Sequence, residues 1–355
     1  LTQALFLWLA LFVVASAAII VAGVLLARSG DRIADRTGLG GLFVGLVLVA
    51  AATSLPEIAV TVSAAADGAP DLAIGNLLGS SMANMALLAI VDLAYRGRVW
   101  ERASPGHGRT AAMAIGLTAI AVLAILRPTG LQVGWVGIAP IVIVIGWLSL
   151  IAWTRRSPTP AVPVGATSHA ESLLSATETR PGTSTTAAPN TSAAAVEGSL
   201  RRDLLIVVIA AVIILAAAPF LVLAAEGIAT ESGLGETFVG ASFLAFATSL
   251  PELATALAAV RIGAYDLAVG ALLGSNAFNM AVILAADLAY TSGPILSAVD
   301  LAQAFVGVAA ILLMAIVMAG LIHEARTRAA RLEPSSAMAL AAYFVLMFLI
   351  WTGGS

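Results

Sequence analysis

Apolar residues run through most of this chain without the periodic polar face of a surface helix. Windows long enough to cross a bilayer, about 20 residues, fall near 4–26, 40–66, 70–94, 110–127, 130–153, 203–225, 237–260, 266–290, 302–322 and 336–352. A helix that is hydrophobic all round must be surrounded by lipid or protein, so the ten windows predict ten transmembrane helices. Two of them contain an anomaly. The stretch GLGGLFVGLVLVAAATSLPEIAVTVSAAA (38–66) includes ATSLPE, in which Glu57 follows Pro56, and the same six residues return at 247–252 with Pro251 and Glu252. A helix breaker and a carboxylate at hydrocarbon depth both need a physical reason.

Composition excludes the soluble alternative. With 60% hydrophobic and 10% charged residues and a mean hydropathy of +1.02, the 355-residue chain has too little charge to cover a soluble surface. Cysteine is absent, which removes disulfides and thiolate metal sites. The first window is too long for a signal-peptide core and is read as retained. All 17 basic residues are arginine; numbering the connections alternately along the spans puts sixteen on one side and only Arg127 on the other. The arginine-rich side is therefore expected in the cytoplasm, with the N- and C-termini outside.

One segment, 154–200, is polar and rich in Pro, Ser, Thr and Ala, the composition of a disordered linker. It separates two halves related by an internal repeat. Shifting the chain by 195 residues lays 38–93 over 233–288 without a gap, with 30 of 56 positions identical, including DLAIGNLLGSSMANM (71–85) over DLAVGALLGSNAFNM (266–280). Five spans per half is an odd number, so the copies enter the membrane from opposite sides. Inverted repeats with interrupted helices are a hallmark of secondary transporters.

The repeated residues supply oxygen. In the first copy Pro56 cannot bond to the carbonyl of Ala52, and Thr53, Ser54, Glu57, Ser80 and Asn84 add two alcohols, a carboxylate, a third alcohol and an amide. The second copy supplies Thr248, Ser249, Glu252, Ser275 and Asn279 in register. Two carboxylates, six hydroxyls and two amides with no imidazole suit hard cations such as calcium and sodium. The histidines (His107, His169, His323) lie in loops or the linker, which argues against bound zinc or copper. A lone Thr-Ser pair in a membrane helix ordinarily bonds back to its own turn, but a structural role would have to explain the whole set twice. The paired Asp71, Asp266, Asp92 and Asp287 fall near span ends and are read as caps or interfacial anchors. No Ser-His or paired-Asp arrangement suits an intramembrane hydrolase, so the chain is not read as an enzyme.

The doubled TSLPE followed by G-(N/A)-LLGS-(S/N)-x-x-N resembles the two alpha repeats of the Ca2+/cation antiporter superfamily, in its sodium/calcium exchanger branch. That resemblance implies an all-α polytopic membrane protein with ten transmembrane helices. They would form two inverted five-helix repeats with broken helices 2, 3, 7 and 8. The halves would be 1–153, with alpha repeat 38–93, and 201–355, with alpha repeat 233–288, joined by the cytoplasmic linker 154–200. It further implies Ca2+/Na+ antiport across a cell membrane by alternating access, with Thr53, Ser54, Glu57, Ser80, Asn84, Thr248, Ser249, Glu252, Ser275 and Asn279 as ion ligands. Ca2+/H+ antiport, with the same glutamates carrying protons, is the rival. The expected partners are lipid and inorganic cations, without a cofactor, nucleic acid or protein partner. Several superfamily members carry Asp where this chain has Asn279.

The arginine asymmetry gives a direct test of topology. In this cysteine-free chain, a cysteine introduced at Ser232 should react with an impermeant thiol reagent from outside, and one at Ser184 only from the cytoplasm. Reversed labelling would refute the orientation; labelling of both from one side would refute the span count.

Overall fold

The computed structural model describes residues 3–95, 98–104, 106–156, 199–232, 248–324 and 334–353. The expected linker from 157 to 198 and the start of the second alpha repeat, 233–247, lie outside the described residues. In chain order the elements are α1 (Gln3–Thr37), α2 (Gly40–Thr53), α3 (Leu55–Ala66), α4 (Pro70–Ala94), α5 (Arg98–Arg102), α6 (His107–Leu126), a two-stranded hairpin (Gln132–Val133 and Val136–Gly137), and α7 (Ile138–Arg156). The second half supplies α8 (Leu200–Ser232), α9 (Leu250–Arg261), α10 (Tyr265–Ala289), α11 (Ile295–Ala298), α12 (Leu301–Glu324) and α13 (Pro334–Gly353). The protein is a multi-pass, helical membrane protein. Among the described residues, seven helices are individually long and apolar enough to span a bilayer, the α2–α3 pair makes an eighth, and α13 is a shorter apolar helix. The remaining expected span, 237–260, is described only from Thr248 onward.

Hydrogen bonding explains which helices break. Ser54 leaves helical geometry (φ −83°, ψ 9°), and α2 and α3 meet there at 51°. Pro56, at the start of α3, cannot continue the ladder of α2. Ser249 adopts nearly the same angles (φ −88°, ψ 5°) ahead of Pro251. The expected breaks in helices 3 and 8 are corrected: α4 and α10 each run unbroken for 25 residues. The reason is local. Pro70 occupies the first turn of α4, where a missing N–H costs nothing, and neither helix has an internal proline.

The glycines of these helices serve close approach instead. A Cβ on Gly274 would lie 2.6 Å from the Cα of Leu46, and one on Gly45 would lie 2.8 Å from the carbonyl oxygen of Leu267. α2 and α10 thus cross backbone to backbone, as small residues allow in membranes. At the same crossing α2 loosens into a π-helical turn, Gly45–Val49. α4 and α10 form the centre of the bundle: 78% and 83% of their apolar windows are buried, against 28% for α1 and for the apolar window of α8.

The aspartates at span ends turn out to hold neighbouring segments. Asp92 Oδ1 accepts from the backbone N–H of Val99 (3.1 Å), at the start of α5, and Asp287 Oδ1 accepts from that of Ile295 (2.6 Å), at the start of α11. Asp71 accepts from the N–H of Asp300 (2.7 Å), whereas Asp266 accepts from the N–H of Ser104 (2.6 Å) and also bonds His107 (2.9 Å). The first pair closes each repeat onto its own following loop; the second pair ties each repeat to the loop following the other. Every one of these bonds joins segments that the alternation of spans puts on one side of the membrane.

The long helices α1 and α8 show how the repeat diverges. Asp203 of α8 accepts ion pairs from Arg32 (2.7 Å) and Arg36 (2.9 Å) of α1. Shifted by 195 residues, the Arg32–Asp203 contact becomes Gly227–Trp8, where the indole lies so close that a Cβ on Gly227 would meet it at 2.3 Å.

The backbone crossing predicts a sharp difference between glycines. Gly274→Ala should lower the apparent unfolding temperature in detergent by at least about 3 °C, because overpacking at a backbone contact has no flexible side chain to yield. Gly116→Ala, on an open face of α6 with no atom within 4 Å, should leave it unchanged or raise it slightly. Equal behaviour of the two variants in a thermal-shift series would contradict the crossing.

Candidate functional site

Each conserved spacing within the repeat converts into a position on a helix. Thr53 and Ser54 stand at the α2–α3 break and Glu57 one turn into α3, while Ser80 and Asn84, four apart, share one face of α4. Thr248 and Ser249 stand at the equivalent break, Glu252 is in α9, and Ser275 and Asn279 are in α10. All ten side chains are buried, none more than 1% exposed.

The structure brings the two copies together. Ser54 of the first repeat donates to Glu252 Oε1 of the second (3.4 Å), Ser275 donates to the same oxygen (3.3 Å), and the two hydroxyls also contact each other closely. Thr53 adjoins Glu252 as well, although its hydroxyl also bonds back to the carbonyls of Val49 (3.1 Å) and Ala50 (3.2 Å). Glu57, the matching carboxylate of the first repeat, is buried like Glu252. The site is therefore a junction of both repeats.

Its hydrogen bonding is incomplete in a patterned way. Among the described residues, Glu57 Oε2, Glu252 Oε2, Ser80 Oγ, Ser249 Oγ, Asn84 Oδ1 and both amide atoms of Asn279 are buried without a partner. A single orphaned buried polar group ordinarily costs about 1–3 kcal/mol. Six side chains are in this condition, two of them carboxylates. Among the described residues, no three His, Cys, Asp or Glu side chains assemble as a metal cluster. His107 is buried against Asp266 rather than at this site.

Two residues escaped the reading of the sequence. Asn276 accepts from Asn84 (2.9 Å) and donates to the carbonyl of Ser81 (3.2 Å), crossing from one repeat to the other. Asn76 donates to Thr61 (3.0 Å) and to the carbonyl of Glu57 (3.4 Å), bracing the helix that carries the carboxylate. Both are amides within apolar spans, which was the available signal. They were passed over because the repeat replaces Asn276 by Ser81 and Asn76 by Ala271.

Comparison with known proteins follows the repeat. The sequence profile of the family described as sodium/calcium exchanger protein matches residues 7–157 and 203–352. The chain belongs to this family. Inner membrane protein YrbG of Escherichia coli (strain K12) is 29% identical over 288 residues, covering 79% of this chain and 81% of that protein. The putative antiporter CaxA of Alkalimonas amylolytica is 28% identical over 312 residues, covering 84% and 88%. Among solved structures, the sodium-calcium exchanger NCX_Mj soaked with 10 mM Na+ and zero Ca2+ superposes with a TM-score of 0.67 at 18% identity, over 97% of this chain and 98% of its own. That likeness establishes a shared fold. The profile's two matched segments leave out 158–202, so the family resemblance resides in the two membrane halves and omits most of the polar segment between them.

Proposed function

We propose that this protein is a secondary active antiporter that exchanges Ca2+ for Na+ across a cell membrane. The observation that carries the reading is the junction of the two repeats at Glu252, whose Oε1 accepts from Ser54 and Ser275, with one oxygen each of Glu57 and Glu252 buried and unpartnered among the described residues. Inserting each carboxylate at hydrocarbon depth costs at least ~2.5 kcal/mol, and one divalent cation offsets both charges. Under this reading Thr53, Ser54, Ser80, Asn84, Thr248, Ser249, Ser275 and Asn279 complete the coordination, and the backbone breaks at Ser54 and Ser249 leave carbonyls for the ion. The two halves, five spans each, would expose the site alternately to either side, with the arginine-rich connections in the cytoplasm and both termini outside.

The rival reading, Ca2+/H+ exchange, draws on the same carboxylates. Two protons neutralise the pair as well as two Na+ do. Calcium uptake into reconstituted vesicles separates the readings: an imposed Na+ gradient should drive it and a pH gradient alone should not. Glu57→Gln and Glu252→Gln keep the shape but remove one charge each. Either should reduce exchange to background while leaving a folded, inserted protein. Near-normal flux in either variant would sink the shared site.

The charge count also bears on coupling. With two ionised carboxylates and a neutral Asn279, one Ca2+ or two Na+ leave the site neutral, so coupling below three Na+ per Ca2+ is expected. Asn279→Asp adds an acid and should make exchange more pH-sensitive. Paired flux and current measurements decide the matter; robust electrogenic exchange at three to one in the unmodified protein would show that carboxylate number does not set the stoichiometry.

A further inference from the structure

The repeat makes Asn84 and Asn279 equivalent, yet their surroundings differ. Asn276 donates its Nδ2 to the backbone carbonyl of Ser81 at 3.2 Å. A carbonyl can only accept, so this bond fixes which way the Asn276 amide faces. Its Oδ1 is thereby turned to Asn84, which must answer with its own Nδ2, at 2.9 Å. Asn84 Oδ1 is left on the other side of the group, buried and without a partner among the described residues. One backbone carbonyl thus dictates the orientation of two successive amides.

No such chain reaches Asn279. The first-repeat counterpart of Asn276 is Ser81, whose hydroxyl bonds back to the carbonyl of Leu77 (2.9 Å) within its own helix. Both amide atoms of Asn279 lack partners among the described residues, and the side chain is 0% exposed.

We propose that Asn276 is a positioning residue that holds the Asn84 amide with its oxygen toward the transported cation, while Asn279 is left free to turn. The inference rests on the reading of this site as a Ca2+ site and adds an asymmetry to it. An amide attracts a cation at its oxygen and repels it at its nitrogen, so a released Asn84 loses affinity through misorientation alone. Asn279 has the complementary property. It offers oxygen to a bound cation and turns its NH2 toward the carboxylate oxygens when the cation departs. One amide is preorganised for the ion, and the other accommodates both the loaded and the empty site.

Equilibrium Ca2+ binding to the full-length protein in Na+-free detergent solution tests this, with exchange in vesicles measured alongside. Asn276→Ser copies the residue that the first repeat carries and should unlock Asn84. The half-saturating Ca2+ concentration is expected to rise about tenfold, with the rate at saturating Ca2+ retained within about twofold. Asn276→Asp still accepts from Asn84 Nδ2 and should leave the half-saturating concentration at or below that of the unmodified protein. A purely structural role predicts that both substitutions weaken binding, so a raised value in Asn276→Asp overturns the proposal even if the serine variant does not fold. An unchanged value in Asn276→Ser overturns it too, leaving the Ca2+ site intact. Absence of Ca2+ binding by the unmodified protein would instead overturn the functional reading beneath it.

Discussion

Two carboxylates are buried at the junction of the repeats with no cationic side chain bonded to either among the described residues, and the architecture around them follows from that constraint. Both are buried, and burial makes a charge without a partner costly. Hydroxyls relieve part of the cost at one oxygen of Glu252, where Ser54 and Ser275 donate. The opposite oxygens are left without donors. A protein meant only to be stable would fill such a site with apolar side chains. Leaving it short of positive charge makes its stability conditional on a mobile cation, which is the property a transporter needs.

Holding the carboxylates together requires the two repeats to approach more closely than side chains permit. Gly45, Gly270 and Gly274 provide that approach, and the π-helical turn at Gly45–Val49 shifts the register of α2 just ahead of the break at Ser54. The break needs little further support. Pro56 and Pro251 each lie in the first turn of a new helix, and the second N–H beyond each bonds back to the carbonyl of the break residue, Ile58 to Ser54 and Leu253 to Ser249, both at 3.1 Å. Repeated sequence thus becomes repeated geometry at the level of individual bonds.

This is why so much of the site was legible from the chain alone. A proline and a carboxylate at hydrocarbon depth, repeated at an interval of 195, mark the breaks and the acids without knowledge of any contact. The continuity of α4 and α10 was not legible, because glycine and serine within an apolar run read equally as a break or as a close crossing. Only the presence of Leu46 against Gly274 decides between them. Likewise the span-end aspartates were recognisable as anchors, but their partners, such as Asp300 for Asp71 and Ser104 for Asp266, are set by packing between halves. Asn276 was hidden for the opposite reason: its importance lies in a departure from the repeat, and attention to identity passes over departures.

Such departures matter because exact inverted symmetry would give the inward-open and outward-open states equal energy. Any preference between them must come from positions where the halves differ. The crossing of α1 and α8 supplies one: Arg32 and Arg36 clasp Asp203 near one end, and at the equivalent place near the other end Trp8 lies on Gly227. The first contact is ionic and responds to salt, since Arg32 remains 39% exposed. The second is apolar and does not. The Asn84 amide bonded to Asn276 and the Asn279 amide without a partner among the described residues are a second difference, placed at the proposed ion site. Under the proposed exchange, the duplicated sequence supplies the means of alternation, and its unmatched positions bias it.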